Sequence, residues 1–187
     1  MTKRNIPNII SIGRILLVIP IVYFLYTKQL NIALVLFIIA GVSDGIDGYL
    51  AKHYDWTSEL GAFLDPLADK LLLVSSYLVL GWVGLLPLWL VMAVIIRDLV
   101  IVSGSLGYFV LIGRVEMAPS IVSKINTAAQ IGLVVVLLLA SVINWFDSLV
   151  HPLIYVVFTT TVLSGLDYVW VWSKRAWQNR HSSEDEG

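Results

Sequence analysis

Residues 44–69 read DGIDGYLAKHYDWTSELGAFLDPLAD, within a predominantly apolar region of the chain. Four acids in this stretch decide how the chain is interpreted: Asp44, Asp47, Asp65 and Asp69. A carboxylate inside a hydrophobic segment is costly unless a partner compensates its charge, so such acids indicate a functional site. The alternative is that they are protonated or paired with Lys70 and Arg97. Four acids at this spacing favour a site that binds a cation.

The spacing puts these acids on two helix faces, because residues three or four positions apart lie on the same side of an α-helix. One face holds Asp44, Asp47, Gly48 and Ala51, and the other holds Gly61, Asp65, Ala68 and Asp69. The small side chains leave room for a polar ligand. Carboxylates suit Mg²⁺, Mn²⁺ or Ca²⁺, whereas the lack of cysteine and the three scattered histidines argue against zinc.

The composition predicts an integral membrane protein, since the 187 residues are 58% hydrophobic with a mean hydropathy of +0.86. A membrane-spanning helix needs about 20 apolar residues. Six such segments can be drawn: Ile9–Tyr26, Asn31–Ala51, Gly61–Val83, Leu88–Ile112, Ile121–Ile143 and Pro152–Trp172. The prediction is therefore an all-α protein with six transmembrane helices. They form a membrane domain over residues 9–177, between a short interfacial segment at 1–8 and a disordered polar tail at 178–187.

The distribution of lysine and arginine predicts the orientation of these spans. Nine cations fall on or near one side: Lys3, Arg4, Arg14, Lys52, Arg114, Lys124, Lys174, Arg175 and Arg180. Lys28 alone falls on the other side. By the positive-inside rule, the crowded side and both termini are cytoplasmic, and the acids lie near that side. We expect the site to open toward the cytoplasm, in a bacterial inner membrane, with no nucleic-acid partner.

The stretch 44–69 resembles the signature of the CDP-alcohol phosphotransferase family, which is Asp-x2-Asp-Gly-x2-Ala-Arg-x8-Gly-x3-Asp-x3-Asp. Seven of the eight fixed positions match with the correct spacing, and the departure is Lys52, where the family has arginine. Lysine keeps the positive charge but lacks the two-pronged guanidinium fork. The resemblance continues over most of the chain, including Arg97-Asp98 and the run PSIVSKINTAAQ at residues 119–130.

This resemblance implies the roles of particular residues. Family members have six transmembrane helices around a polar cavity, and they usually form homodimers. Two metal ions, either Mg²⁺ or Mn²⁺, would be bound by Asp44, Asp47, Asp65 and Asp69. Asp69 would also act as the general base. The CDP moiety of CDP-diacylglycerol would bind near Asp44, Asp47, Gly48, Ala51, Lys52 and Gly61.

The acceptor alcohol distinguishes two branches of the family, one using glycerol 3-phosphate and the other using phosphatidylglycerol. In the first branch the family pattern has an arginine at the position of Ser105 and a lysine at that of Asn126. A monoester phosphate with nearly two charges depends on such cations more than a diester with one. The sequence therefore favours phosphatidylglycerol, with Arg97, Lys124 and Asn126 as candidate acceptor contacts.

A different class of function is an ion-coupled carrier, in which buried acids bind and release an ion. The acids gather near one predicted membrane face rather than at the midplane, and the two halves of the sequence show no inverted repeat. Both observations favour a transferase.

Overall fold

The computed structural model describes residues 6–53, 59–112 and 120–182, with side chains at 10–46, 67–104, 120–143 and 145–170. Over these ranges the chain forms six α-helices and a short 3₁₀ helix at Asn144–Phe146. The α-helices are α1 (Ile6–Tyr26), α2 (Leu30–His53), α3 (Glu59–Trp82), α4 (Leu88–Ile112), α5 (Ile121–Ala140) and α6 (Asp147–Ser182). The predicted all-helical class is confirmed.

The start of α6 differs from the predicted span, because the helix begins at Asp147 rather than at Pro152. The predicted apolar span begins at Pro152, whereas in the structure this proline lies inside the helix, where it costs one backbone hydrogen bond. Asp147 in the first turn stabilises the earlier start, because its negative charge faces the positive end of the helix dipole.

The two ends of the chain also differ from the predicted boundaries. α6 continues to Ser182, into the segment 178–187 that composition assigns to a disordered tail. A helix supplies its own backbone hydrogen bonds, so a polar sequence can continue it without burial. At the other end, α1 begins at Ile6, inside the predicted interfacial segment 1–8. Residues 1–5 and 183–187 lie outside the described part.

The connection from α1 to α2 is a tight helix-ending turn. Lys28 has a φ of 57°, in the left-handed region. The Gln29 N–H donates to the Phe24 carbonyl at 2.9 Å, and the Lys28 N–H donates to the Leu25 carbonyl at 3.1 Å. These bonds satisfy carbonyls that the end of a helix otherwise leaves without donors. The turn lets α2 begin at Leu30.

The end of α3 uses the same kind of turn with glycine. Gly84 has a φ of 81°, and the following Leu85 N–H donates to the Leu80 carbonyl at 2.9 Å. A residue with a Cβ is strained in this backbone region, whereas glycine is not. Gly84 therefore fixes where α3 stops.

The chain divides into two compact units. The first comprises residues 1–88 and 131–150, and the second comprises residues 89–130 and 151–187. In the first unit α1 packs against both α2 and α3, around buried side chains that include Ile21, Phe37 and Tyr77. In the second unit the buried apolar residues include Val94 and Val157, and several polar side chains are buried with them.

Apolar residues also cover exposed helix faces. On α1, the exposed side chains Ile12, Leu16, Ile19 and Tyr23 recur at helical spacing and form one continuous stripe. Among the described residues, two helical segments are long and apolar enough to cross a membrane, Ile121–Ala140 and Asp147–Trp170. Two shorter segments, Ile10–Tyr26 and Leu30–Ile46, are similarly apolar.

The positive φ at Gly84 predicts the effect of adding a methyl group there. Gly84→Ala should lower the free energy of unfolding by about 1 kcal/mol, because alanine is strained in this conformation. Gly132→Ala is the matched control, since a Cβ at either glycine meets open space but Gly132 lies inside helix α5. The control should be neutral or stabilising. Thermal unfolding in one detergent compares the two, and equal midpoints would show that the turn is not strained.

Candidate functional site

Arg14 lies on the buried face of α1. Its side chain is 1% exposed, and Ser11, Ile21 and Leu25 are buried at helical spacing from it. This face is buried and contains a charged side chain, whereas the stripe of exposed side chains on the same helix is apolar. An arginine is therefore directed into the first unit, where α2 and α3 pack against α1.

Two of the predicted site residues contact this arginine. Arg14 Nη1 donates to Asp69 Oδ1 on α3 at 2.7 Å, and it forms an ion pair with Asp44 Oδ1 on α2 at 2.6 Å. We call these three residues the Arg14 cluster. The acidic faces of α2 and α3 thus meet through α1. The sequence analysis proposed Lys70 and Arg97 as possible partners for the acids, and Arg14 fills that role for Asp44 and Asp69.

The charge and exposure of the Arg14 cluster suit a cation. One guanidinium contacts two carboxylates, so these three groups by themselves carry one negative charge when both acids are ionised. The Asp44 and Asp69 side chains are 45% and 48% exposed, in contrast to the sealed arginine. Half-exposed carboxylate oxygens beside a fixed cation are hard ligands that a divalent ion can reach. The donor set fits Mg²⁺ or Mn²⁺.

The other predicted metal and nucleotide residues lie on the same two helices, but their side chains fall outside the described part: Asp47, Gly48, Ala51, Lys52, Gly61 and Asp65. Within the described side chains, no group of three or more acids, histidines or cysteines that could hold a metal is found. Asp44 and Asp69 are the described members of the predicted set.

Arg14 was not among the candidate site residues from the sequence. It was counted as one of the cations that set the membrane orientation, and it lies where the family resemblance continues, but no role at the site was assigned to it. The available signal was its position inside an apolar helix, since a charged residue there needs a partner. Which acids it would contact is a matter of packing, because Arg14 and Asp69 are 55 positions apart.

The second unit contains another buried arginine, Arg97 on α4, which is 5% exposed. Its Nη1 donates to Asp98 Oδ1 at 2.7 Å and its Nη2 to Ser123 Oγ on α5 at 2.6 Å. Its Nε donates to Ser164 Oγ on α6 at 3.1 Å. The guanidinium thus joins α4, α5 and α6, and it forms an ion pair with Asp98.

Asn126 is fully buried on α5, one turn beyond Ser123. Its Oδ1 accepts hydrogen bonds from Thr160 Oγ1 and Thr161 Oγ1, each at 2.9 Å. Its Nδ2 is buried and has no hydrogen-bond partner among the residues that the structure describes. The third predicted acceptor contact, Lys124, is exposed near the start of α5.

Comparison with protein families gives one match over most of the chain. Residues 4–172 match the model of the CDP-alcohol phosphatidyltransferase family. The match includes the Arg14 cluster and all the predicted site residues.

The chain is also similar to relatives from two animals and a bacterium. It is 34% identical over 182 residues to cardiolipin synthase (CMP-forming) from Homo sapiens, covering 88% of this chain and 60% of the relative. It is 34% identical over 185 residues to CDP-diacylglycerol–glycerol-3-phosphate 3-phosphatidyltransferase from Bacillus subtilis, covering 88% of this chain and 93% of that enzyme. A probable cardiolipin synthase (CMP-forming) from Drosophila melanogaster is 31% identical over 199 residues, covering 96% of this chain and 58% of the relative. The chain thus spans about three fifths of the human and fly relatives.

The amide of Asn126 provides a test of the second unit. Thr161→Val removes one donor to Oδ1 and should lower the free energy of unfolding by about 1 kcal/mol. Thr159→Val is the matched control, because exposed Thr159 donates to the Tyr155 carbonyl of its own helix at 2.8 Å. The control should change stability by less than about 0.5 kcal/mol. Equal thermal unfolding of both variants would show that the Thr161 contact does not hold Asn126 in place.

Proposed function

Because the chain belongs to the CDP-alcohol phosphatidyltransferase family, we propose that it transfers the phosphatidyl group of CDP-diacylglycerol to an alcohol and releases CMP. The observation that supports this most directly is the Arg14 cluster. Two carboxylates that the family signature places in the catalytic site, Asp44 and Asp69, meet on one guanidinium and stay half exposed. The preferred acceptor is phosphatidylglycerol, which gives cardiolipin. The alternative is glycerol 3-phosphate, which gives phosphatidylglycerophosphate.

The reaction is a displacement at phosphorus. The acceptor hydroxyl oxygen forms a new bond to the phosphatidyl phosphorus, the bond from that phosphorus to the CMP oxygen breaks, and the hydroxyl proton must be removed. Two obstacles limit the rate: negative charge on the phosphate oxygens and the weak nucleophilicity of the hydroxyl. The residues of the site can be assigned to these two obstacles.

We assign metal binding to Asp44, Asp47, Asp65 and Asp69. The Mg²⁺ or Mn²⁺ ions that they hold would supply positive charge to the diphosphate oxygens. Gly48, Ala51 and Gly61 leave space on the same helix faces for the CDP moiety, and Lys52 supplies a positive charge beside it. This division of roles follows the family signature.

We assign proton removal to Asp69. Its Oδ1 is bound to Arg14, which fixes the carboxylate, and its side chain is half exposed, so an acceptor can approach it. A positioned carboxylate that takes the proton as the new bond forms typically contributes about 10²–10⁴-fold to a rate. The proton leaves with Asp69, and the electron pair of the broken bond leaves with CMP.

The second unit carries the proposed acceptor contacts. Arg97 is already bonded to Asp98, Ser123 and Ser164, so its proposed role is to position α5 rather than to bind the acceptor directly. Lys124 is exposed, and Asn126 has a buried amide nitrogen that can donate to a hydroxyl or phosphate oxygen. One cation and one neutral donor suit a phosphodiester better than a monoester.

The relatives do not separate the two acceptors, because the human cardiolipin synthase and the Bacillus subtilis glycerol-3-phosphate enzyme are each 34% identical to this chain. They do favour a transferase over an ion-coupled carrier, since their names describe synthases and transferases. The acceptor proposal therefore rests on the charges at Ser105 and Asn126, of which Asn126 has a described side chain.

Membrane embedding is part of the proposal. A stripe of exposed apolar side chains on α1 would be a liability in water, whereas a lipid environment accommodates it. With six spans and the positive-inside orientation, the Arg14 cluster lies toward the cytoplasmic face, which in a bacterium is that of the inner membrane. A homodimer is expected by resemblance to the family.

The metal assignment predicts the behaviour of Asp44→Asn. Mn²⁺ affinity should fall, and CMP release from CDP-diacylglycerol should fall by about 100-fold or more, since a neutral amide is a poor ligand for a hard cation. In the wild-type protein a chelator should abolish CMP release, and Mg²⁺ or Mn²⁺ should restore it. Asp147→Asn, at an exposed position at the start of α6, is the control. Full activity of metal-free protein would rule out the metal site.

The acceptor assignment predicts the effect of restoring two cations. Ser105→Arg combined with Asn126→Lys should shift the ratio of kcat/KM values toward glycerol 3-phosphate and away from phosphatidylglycerol, because a dianionic phosphate gains more from added positive charge. Ser103→Arg with Thr127→Lys adds the same charge at neighbouring positions and should leave the ratio unchanged. Both kcat/KM values are measured at one fixed ionic strength, because salt screens the interactions of exposed charges. Efficient use of glycerol 3-phosphate by the wild-type protein, with none of phosphatidylglycerol, would reverse the assignment.

A further inference from the structure

The guanidinium of Arg14 uses only part of its hydrogen-bonding capacity. Nη1 carries both bonds of the Arg14 cluster, to Asp44 and to Asp69. Nε and Nη2 are buried, and they have no hydrogen-bond partner among the residues that the structure describes. Buried donors are normally paired, so two of them on one charged group indicate that an acceptor is missing.

Arg97 shows how the same side chain is accommodated when its role is internal. Its Nη1 bonds Asp98, its Nε bonds Ser164, and its Nη2 bonds both Ser123 and Ser164. Each nitrogen of its guanidinium therefore has a partner within the second unit. Arg14 is similarly buried, at 1% exposure compared with 5%, but its Nε and Nη2 find no acceptor in the described part of the chain.

The geometry of the Nε–Nη2 side of the guanidinium, which we call the Nε–Nη2 edge, indicates the kind of ligand that it can bind. Nε and Nη2 lie on one side of the planar guanidinium and direct two N–H bonds in parallel. This fork matches two oxygens of one phosphate or carboxylate group. The protein's own carboxylates in the cluster are bound to the other nitrogen. An oxyanion supplied by a substrate has the chemistry that this edge fits.

We propose that the Nε–Nη2 edge of Arg14 binds two oxygens of one phosphate group in the diphosphate of CDP-diacylglycerol, while Nη1 stays on Asp44 and Asp69. This inference rests on the proposed function and adds a substrate-binding residue to it. Arg14 then links the substrate phosphate to the carboxylates that the reaction uses. Arg14 itself is buried whereas Asp44 and Asp69 are half exposed, so a phosphate would approach from the side where these acids meet solvent.

The experiment measures binding rather than turnover. Purified wild-type protein and Arg14→Lys are titrated with CDP-diacylglycerol in lipid nanodiscs that contain Mg²⁺, and separately with phosphatidylglycerol. Lysine keeps a positive charge for the acids but cannot present the fork. The dissociation constant for CDP-diacylglycerol should rise by about 10- to 100-fold, as expected when a charge-assisted hydrogen bond is lost. The dissociation constant for phosphatidylglycerol should not change.

Lys28→Gln is the charge control. It removes a cation from an exposed residue at the far end of α1, roughly 20 Å along the helix from Arg14. Its affinity for CDP-diacylglycerol should match that of the wild type. Thermal unfolding of Arg14→Lys without ligand shows whether the lysine still holds the two acids.

The outcomes separate this inference from the function it rests on. Equal CDP-diacylglycerol affinity of wild type and Arg14→Lys would make Arg14 a structural counter-ion only. Weakened phosphatidylglycerol binding with CDP-diacylglycerol binding intact would assign the edge to the acceptor phosphate and overturn the proposal. A wild-type protein that binds no CDP-diacylglycerol would overturn the proposed function itself.

A second measurement covers the case in which Arg14→Lys does not fold. The wild-type protein is labelled with ¹⁵N-arginine, and the Nε–H signal of Arg14 is assigned through its backbone. Addition of CDP with Mg²⁺ should shift this signal downfield, because the N–H gains an anionic acceptor, while the Arg97 signal stays in place. An unchanged Arg14 signal at saturating CDP would contradict the proposal.

Discussion

The contact between the guanidinium of Arg14 and the carboxylates of Asp44 and Asp69 is the constraint on which the first unit depends. A buried arginine is unstable without an anion, and the acids need a cation in an apolar surrounding, so the charges on α1, α2 and α3 require one another. Removing one partner of a buried ion pair typically costs about 3–5 kcal/mol, with less expected here because the acids are half exposed. The geometry of the site is thus set by the same interaction that joins the three helices.

Buried polar groups also join the helices of the second unit, but here the buried arginine has a partner for each guanidinium nitrogen. Arg97 satisfies its donors on Asp98, Ser123 and Ser164, which fixes α4, α5 and α6 in register. Asn126 is held by two threonine hydroxyls, yet its nitrogen lacks a partner among the described residues. Saturated groups hold the fold, and unsaturated groups are available to a ligand. Arg97 therefore suits a positioning role, and Asn126 suits a binding role.

Much of the fold could be predicted from the sequence, because long apolar segments and the polar turns between them define helices locally. The predicted ends at Tyr26, Leu88, Ile112 and Ile121 agree with the structure. The start of α6 differed, since a proline that often begins a helix is tolerated inside this one. The acids were found from spacing, which is also a local property. Arg14 was missed because its partners are set by packing between helices, and sequence periodicity carries no information about which faces meet.

The central claim is that this chain moves a phosphatidyl group from CDP-diacylglycerol to phosphatidylglycerol. The most direct measurement follows CDP-diacylglycerol labelled in its phosphatidyl group, with purified protein, phosphatidylglycerol and Mg²⁺ in nanodiscs. The account predicts one labelled cardiolipin and one CMP for each CDP-diacylglycerol consumed. Labelled phosphatidic acid in place of cardiolipin would show water as the acceptor, and an absence of CMP would show no transfer. Either result would contradict the account.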